Sequence, residues 1–478
     1  MQTFVLVLII SLVLHDSGLW HEQDGAFTSQ SLSWGAGSML ALVLLPKLIL
    51  LAVYALLSLR TRAQLATAKR ERALRRLDKL SSLVRYGTLA LYLVDLFFLD
   101  WLGFVRSWVG NRVLIDEVIT LLPALCVAAG LWWLYEPIDR ALRLVVTTHH
   151  PRTRAGYVFS QARLHAALPL LPMLAVIGWT EGISAMATEP GGRWGGLSFE
   201  GVAVLKLLGS AGVLLLSPLM LRHVWDTVEL ESGELRDRLV AMCQLHRVRV
   251  RRVLKWHTGW NMANAGVMGV IAPVRYVLLT DALLETMPPR QIEAVMAHEL
   301  AHVKRGHMIW LLVAAVAQLA AAEAMWRWIM DALITTLRSE SLMPAWADNP
   351  ARLDVTLAVL ALATWAVTFG WASRKFERQA DTFAVQHLSR QIARAAGMDD
   401  QRTVITPDAA SAMIDALQTV ADLNGIVTTR RSWRHGSIAS RQRYLRTLVG
   451  QHVGSQRIDR LLPWLHAAHI VMLASVLS

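Results

Sequence analysis

The feature that most constrains this chain is a series of apolar runs, each about as long as a membrane-spanning helix. A helix needs about 20 mostly apolar residues to cross the hydrocarbon core of a bilayer. The runs that come near this length are 36–59, 84–104, 114–135, 163–180, 201–222, 308–330 and 355–373. The shorter runs 2–14 and 461–477 are marginal, and we expect the first to be a short span, because it lacks the positive start and cleavage site of a signal peptide.

Composition supports a membrane protein. Of the 478 residues, 54% are hydrophobic and 18% are charged, whereas soluble domains carry about 25% charged residues. The excess apolar surface requires a lipid bilayer as a partner. The net charge of +12 is first a topology signal, and no nucleic-acid motif accompanies the basic runs. We therefore expect neither nucleic acid nor a dinucleotide cofactor to bind.

The basic loops predict the orientation. Segment 60–85 holds nine basic and two acidic residues, and 136–163 holds five and two. Lys and Arg concentrate in short cytoplasmic loops. If the intervening runs all span, 223–307 and 374–460 share the cytoplasmic side with these loops. We expect a multi-pass integral membrane protein, in the cell inner membrane if the source is bacterial.

The pattern changes after the fifth strong run. Residues 232–248 predict an amphipathic helix, and 250–256, 263–270 and 275–280 predict short strands. The predicted fold class is a predominantly α-helical multi-pass membrane protein with a small α+β domain. The expected organisation is a transmembrane bundle at 1–222, a cytoplasmic α+β part at 223–307, a transmembrane hairpin at 308–373, a cytoplasmic helical part at 374–460 and an apolar C-terminal helix at 461–478.

A metal-site motif, "HELAH", precedes the sixth strong run. His298 and His302 are four residues apart, so both imidazoles lie on one helix face and can reach one ion. Glu299 is placed to act as the general base of a zinc metallopeptidase. His307 lies about 140° around an uninterrupted helix from His302 and is an unfavourable third ligand.

The third ligand must come from elsewhere, since a catalytic zinc has three protein ligands and one open position. Glu377 and Asp381 are four residues apart in the predicted helix 373–388. One interpretation is a solvated charged face. The other is that Glu377 completes the ligand set and Asp381 accepts the free N–H of a zinc histidine.

Taken together, these motifs resemble the integral-membrane gluzincins that include the CaaX prenyl proteases and the HtpX-like heat-shock proteases. The pieces occur in order: "NAGVMG", "VLLTDALLE", "HELAH", "FERQAD" and "HGSIASR". The resemblance covers about 230–445 well. It implies one Zn²⁺ ion held by His298, His302 and Glu377.

The same resemblance implies roles for the remaining motif residues. Glu299 is the base, and His435 and Arg441 stabilise the oxyanion or position Asp381. Asn264 and Ala265 lie on the edge strand that pairs with an extended substrate. One departure is that Gly436 follows His435, where the family usually has proline.

The sequence thus predicts a zinc-dependent endopeptidase that cleaves membrane or membrane-adjacent polypeptides at the cytoplasmic face, with membrane protein quality control as one role. One alternative is a CaaX-type processing protease. The other is a metallopeptidase sensor of the β-lactam type, although the short predicted outer loops leave no room for an extracellular sensor domain.

Overall fold

The chain forms two compact units, Met1–Trp225 and Asp226–Ser478, in a computed structural model. The structure describes residues 4–5, 7–9, 11–12, 35–143, 153–188, 198–260, 262–339, 350–399 and 403–477. The boundary between the units lies near the one expected at 222/223. The roles assigned to the segments on either side remain predictions.

The described part of the first unit is helical. Its helices are α1 (Ala36–Ala63), α2 (Arg70–Phe97), α3 (Trp101–Val109), α4 (Ile115–Arg143), α5 (Arg154–His165), α6 (Ala167–Thr188) and α7 (Phe199–Val224). By length and composition, α1, α2, α4, α6 and α7 can each cross a membrane. These five helices agree with the expected fold class, a predominantly α-helical multi-pass membrane protein.

One predicted span has different limits from those expected. The run 84–104 was expected to follow a basic loop, but α2 starts at Arg70 and continues through the basic residues to Phe97. Arg, Lys, Glu and Leu are good helix formers, so charge alone does not end a helix. The chain then turns at Asp100, whose φ is 48°, and Trp101 begins a separate short helix.

The interior of the first unit contains a charged pair. Lys47 of α1 donates to Asp95 of α2, and both side chains are buried. Ionisable groups at membrane depth pair with one another because an isolated charge there is costly. Tyr92 and Leu96 pack beside the described residues of 4–12, which are helical and buried. Whether 2–14 spans the bilayer remains a prediction.

The second unit contains a four-stranded mixed sheet. Its strands are β1 (Thr227–Glu229), β2 (Arg252–Trp256), β3 (Ala265–Met268) and β4 (Tyr276–Thr280), in the order β1-β2-β4-β3. β2 and β4 are parallel, and the other pairs are antiparallel. The three strands predicted from sequence are confirmed, β1 was not predicted, and β3 lies at an edge of the sheet.

The other elements described in the second unit are mainly helices. They are α8 (Glu234–Leu245), α9 (Asp281–Thr286), α10 (Pro289–Lys304), α11 (His307–Ser339), α12 (Pro350–Ala395), α13 (Pro407–Leu423), α14 (Ile438–Leu448) and α15 (Arg457–Leu477). The core joins Val277 and Leu279 of β4 to Ile292 and Leu300 of α10. Burying each such side chain contributes about 1.5–3 kcal/mol, so α10 is held firmly.

The two longest helices of the second unit, α11 and α12, both contain long apolar stretches. α11 is long and apolar enough to span a membrane. It packs against α12, where the Trp365 indole donates to the Ala315 carbonyl at 3.0 Å. The predicted run 355–373 forms part of α12, so one helix carries an apolar segment and then the "FERQAD" motif. The run 461–477 lies in α15, and whether it spans remains a prediction.

Candidate metal centre

Helix α10 places two imidazoles side by side. Pro289 occupies its first turn, where a missing N–H costs nothing, and the helix ends at Lys304. His298 and His302 are one turn apart, and their Nε2 atoms lie 3.3 Å from each other. His298 is buried and His302 is partly buried. The expected convergence of the two rings on one point is therefore present.

Glu377 of α12 brings a carboxylate to the same point. Its Oε2 lies 3.6 Å from His298 Nε2, and its Oε1 lies 3.8 Å from His302 Nε2. The three ligand atoms lie within 4.8 Å of one another. Donors at Zn–N and Zn–O distances in a tetrahedral site are about 3.3 Å apart. The spacing and the donor types fit a zinc ion.

Asp381 lies behind this donor set, one turn further along α12. Its Oδ1 is 3.0 Å from His298 Nδ1, and its side chain is fully buried. Arg441 of α14 donates to both oxygens of Asp381, from Nε at 2.8 Å and from Nη2 at 2.6 Å. Burial opposes ionisation of Asp381, but the charge of Arg441 and its hydrogen bonds outweigh burial and lower the pKa.

Arg441 thus lies where it can position Asp381, which is one of the two roles that the resemblance implies for it. It also approaches the metal-ligand candidate Glu377, because its Nη1 lies 3.4 Å from Glu377 Oε2. Burial disfavours the ionised form of Glu377, but hydrogen bonding by His435 and the charge of Arg441 lower its pKa below the usual range. Both carboxylates are therefore held ionised, as metal binding requires.

His435 approaches Glu377 from an exposed loop. Its Nδ1 lies 2.9 Å from Glu377 Oε1, and 54% of its side chain is exposed. Trp433 anchors the loop by donating to the Ala366 carbonyl of α12 at 2.6 Å. Gly436 has a φ of 75°, which proline cannot adopt. The loop therefore follows a path that excludes the proline usual in the family.

Glu299 lies next to the first histidine on α10 and is partly buried. Burial raises its pKa to about 7, and the positive charge of His298 opposes this shift. A carboxyl group with a pKa near neutrality is suited both to accept and to return a proton.

His307 and Gln379 contribute a contact that was not predicted. His307 Nδ1 lies 3.0 Å from His302 Nδ1, and His307 Nε2 lies 2.9 Å from Gln379 Oε1. The helical-wheel angle does not apply here because Gly306, with a φ of 65°, separates α10 from α11. His307 is fully buried and contacts the His302 ring through Nδ1. The glycine between the two histidines was the available signal.

Asn264 and Ala265 lie at the start of the edge strand β3. The Asn264 backbone bonds inward, because its N–H donates to Thr280 Oγ1 and its carbonyl accepts from the Thr280 N–H. Its side-chain oxygen accepts from the Ala265 N–H at 3.0 Å. The N–H and C=O groups of successive residues point to alternate sides of a strand, so those of Ala265 and Val267 point away from β4.

Comparison with known proteins identifies the region that contains this site. Residues 231–405 match the model of peptidase family M48. A protease HtpX homologue of Aeropyrum pernix is 33% identical over 162 residues, which cover 32% of this chain and 49% of that protein. The chain thus matches about half the length of that relative. The crystal structure of S. mikatae Ste24p aligns over 85% of this chain and 98% of its own, with 13% identity and a TM-score of 0.41, which does not by itself establish a shared fold.

Proposed function

We propose that this chain is a zinc-dependent endopeptidase that acts on membrane or membrane-adjacent polypeptides. Its residues 231–405 match the model of peptidase family M48, and six of its described helices are long and apolar enough to cross a membrane. The observation that carries the proposal is the convergence of His298, His302 and Glu377 on one point. Glu299 lies beside them on the same helix. This combination is the set of groups that metal-assisted peptide hydrolysis requires.

His298, His302 and Glu377 are the residues that would hold one zinc ion. When bound, zinc supplies Lewis-acid chemistry, because it polarises a carbonyl and lowers the pKa of water. Glu299 takes a proton from the attacking water and passes it to the departing amine nitrogen. Asp381 accepts the Nδ1 proton of His298 and so fixes the tautomer that leaves Nε2 free for the metal.

Arg441 and His435 take different roles in this proposal. The bidentate contact of Arg441 with Asp381 makes Arg441 a positioning residue. His435 is the more exposed of the two and can donate a hydrogen bond to the negative charge that develops on the carbonyl oxygen of the scissile peptide bond. Its contact with Glu377 keeps the ring close to the reacting groups.

The free edge of β3 suits an extended substrate. A peptide can add to an exposed strand through main-chain hydrogen bonds. Ala265 and Val267 turn their main chain outward, and β3 packs beside α10. In this proposal Asn264 does not pair with substrate directly. Its side chain orients the Ala265 amide at the start of the edge.

The position of α11 supports a substrate in or near the bilayer. This apolar helix begins at His307, five residues after the ligand His302. The basic loops favour the cytoplasmic side for this end, which in a bacterial cell is the inner face of the inner membrane. Removal of damaged membrane proteins is the role we favour, because pairing with an edge strand uses the main chain of the substrate, which all polypeptides share.

Metal analysis combined with a cleavage assay tests the proposal. The purified protein should contain one zinc per chain and lose proteolysis in a chelator, and added zinc should restore it. Glu377→Gln should lose both zinc and activity. Glu323→Gln, an exposed glutamate of α11, should keep both. Full proteolysis by metal-free protein would refute the proposal.

A further inference from the structure

A cavity lies in the second unit, and none of the proposed metal ligands lines it. Its volume is about 940 Å³, within the range of small-molecule sites, about 300–1,000 Å³. Helices α8, α10 and α12 form it. Its charged and imidazole side chains are those of Arg238, His246, Glu293, His387, Arg390 and Arg394.

The charge in this cavity is strongly positive. Among the described lining residues Glu293 is the single acidic one, and this buried carboxylate lies 3.2 Å from Arg238 Nη1. Arg238 Nη2 also lies 3.6 Å from Glu234 Oε1. Among the described residues, no carboxylate lies within ion-pair distance of Arg390. Arg394 lies one turn further along α12. The described lining of the cavity thus holds three arginines and one glutamate.

A pair of histidines also lines the cavity. His246 Nε2 lies 2.8 Å from His387 Nδ1, and only 6% of His387 is exposed. His387 Nε2 has no hydrogen-bond partner among the described residues. Burial, together with the charges of Lys304, Arg390 and Arg394, lowers the pKa of His246 to about 4. The pair is thus neutral at physiological pH, with one buried polar nitrogen unsatisfied.

Apolar side chains also line the cavity, namely those of Met242, Leu245 and Val453. A bound molecule would therefore meet both guanidinium groups and hydrocarbon. Arginine binds phosphate in a planar, two-pronged geometry. The cavity is also large enough for an organic group beyond the phosphate.

We propose that this cavity binds a water-soluble phosphate ester, with its phosphate on Arg390 and Arg394 and its organic part against Met242, Leu245 and Val453. Distance along α12 favours a soluble molecule over a bilayer lipid. Arg390 is 17 residues beyond Ser373, the end of the apolar run. At 1.5 Å per residue this is about 25 Å along the helix, too far for the headgroup of a lipid that stays in the membrane.

Binding is tested on detergent-purified full-length protein in a chelator, so that the metal centre does not contribute. The probe is phenyl phosphate, with sodium chloride at matched ionic strength as the blank. We expect a saturable rise in melting temperature. Arg390→Gln/Arg394→Gln should weaken the apparent affinity about tenfold or more, the scale of a lost charge-assisted hydrogen bond.

A matched control and a second variant sharpen the test. Arg443→Gln/Arg446→Gln removes two exposed arginines of α14 and should bind phenyl phosphate as the wild type does. Ala241→Trp places a bulky group at the cavity wall without changing charge, and it should also abolish the rise. A rise of equal size in the Arg390→Gln/Arg394→Gln protein, or none in the wild type, would overturn the proposal.

Nanodiscs distinguish the source of the phosphate. Protein in phosphatidylcholine discs is compared with protein in discs that also contain phosphatidic acid. We expect no change that depends on Arg390 and Arg394. A change that does depend on them would overturn the soluble source and assign the site to a lipid phosphate.

Discussion

Removing the Arg441 guanidinium should destabilise the second unit more than any surface substitution. Arg441 makes contacts of 2.6 and 2.8 Å to the fully buried Asp381 and one of 3.4 Å to Glu377. Only 12% of its side chain is exposed. Arg441→Leu leaves the buried Asp381 without its counter-charge and removes one of the positively charged neighbours of Glu377. Breaking a buried pair in this way costs about 3–5 kcal/mol.

The assay is thermal unfolding of the detergent-solubilised protein in a chelator. For a unit of this size, 1 kcal/mol corresponds to about 2–4 °C, so the melting temperature should fall by about 6–20 °C. Arg443→Leu, on an exposed face of the same helix, should change stability by no more than about 0.5 kcal/mol. Arg441→Lys, which keeps the charge but loses the fork, should fall between them.

A double-mutant cycle identifies the partner. Asp381→Asn removes the buried charge, so Arg441→Leu should cost less in that background, with a coupling energy of about 0.5–3 kcal/mol. If Arg441→Leu melts within 1–2 °C of Arg443→Leu, the buried ion pair does not have the role assigned to it.

Three further outcomes follow from the geometry. His307→Phe should lower zinc affinity about 10–100-fold, measured by chelator competition, while the exposed His452→Ala should bind zinc normally. The pKa of His246 is lowered from 6.5 to about 4, so as the pH falls from 6.5 towards 4 the unfolded chain binds this proton before the folded chain does, and stability is lost. His246→Gln should flatten that part of a plot of melting temperature against pH, and an unchanged slope would contradict the assignment. Gly436→Pro forces a φ near −65° where the native φ is 75°, so the His435 ring should move away from Glu377. The kcat for a quenched-fluorescent peptide should then fall about 100-fold with little change in melting temperature, and wild-type turnover would show that His435 does not contribute to catalysis.

Local spacing predicted the parts of the site that a single helix controls. His298 and His302 converge because four residues make about one turn, and Glu377 and Asp381 share a face of α12 for the same reason. The edge strand was readable as a short β-rich run ending at turn residues. These features depend on contacts within a few residues, which sequence patterns report directly.

Contacts between distant segments could not be predicted in this way. His307 supports His302 only because the chain turns at Gly306 and α12 supplies Gln379. His246 and His387 are 141 residues apart and meet only through the packing of α8 against its neighbours. The basic stretch after Arg70 was expected to be a loop because positive charge signals the cytoplasmic side of a membrane protein. Positive charge says little, however, about backbone conformation, and the stretch is helical.

The central claim is that Glu299 moves the proton in zinc-dependent peptide hydrolysis, and Glu299→Gln tests it most directly. The variant keeps the side chain's size and leaves His298, His302 and Glu377 unchanged. We predict that purified Glu299→Gln protein retains one zinc per chain and melts as the wild type does, while its cleavage of a membrane polypeptide falls about 100-fold or more. Cleavage at the wild-type rate, with zinc bound, would contradict the account.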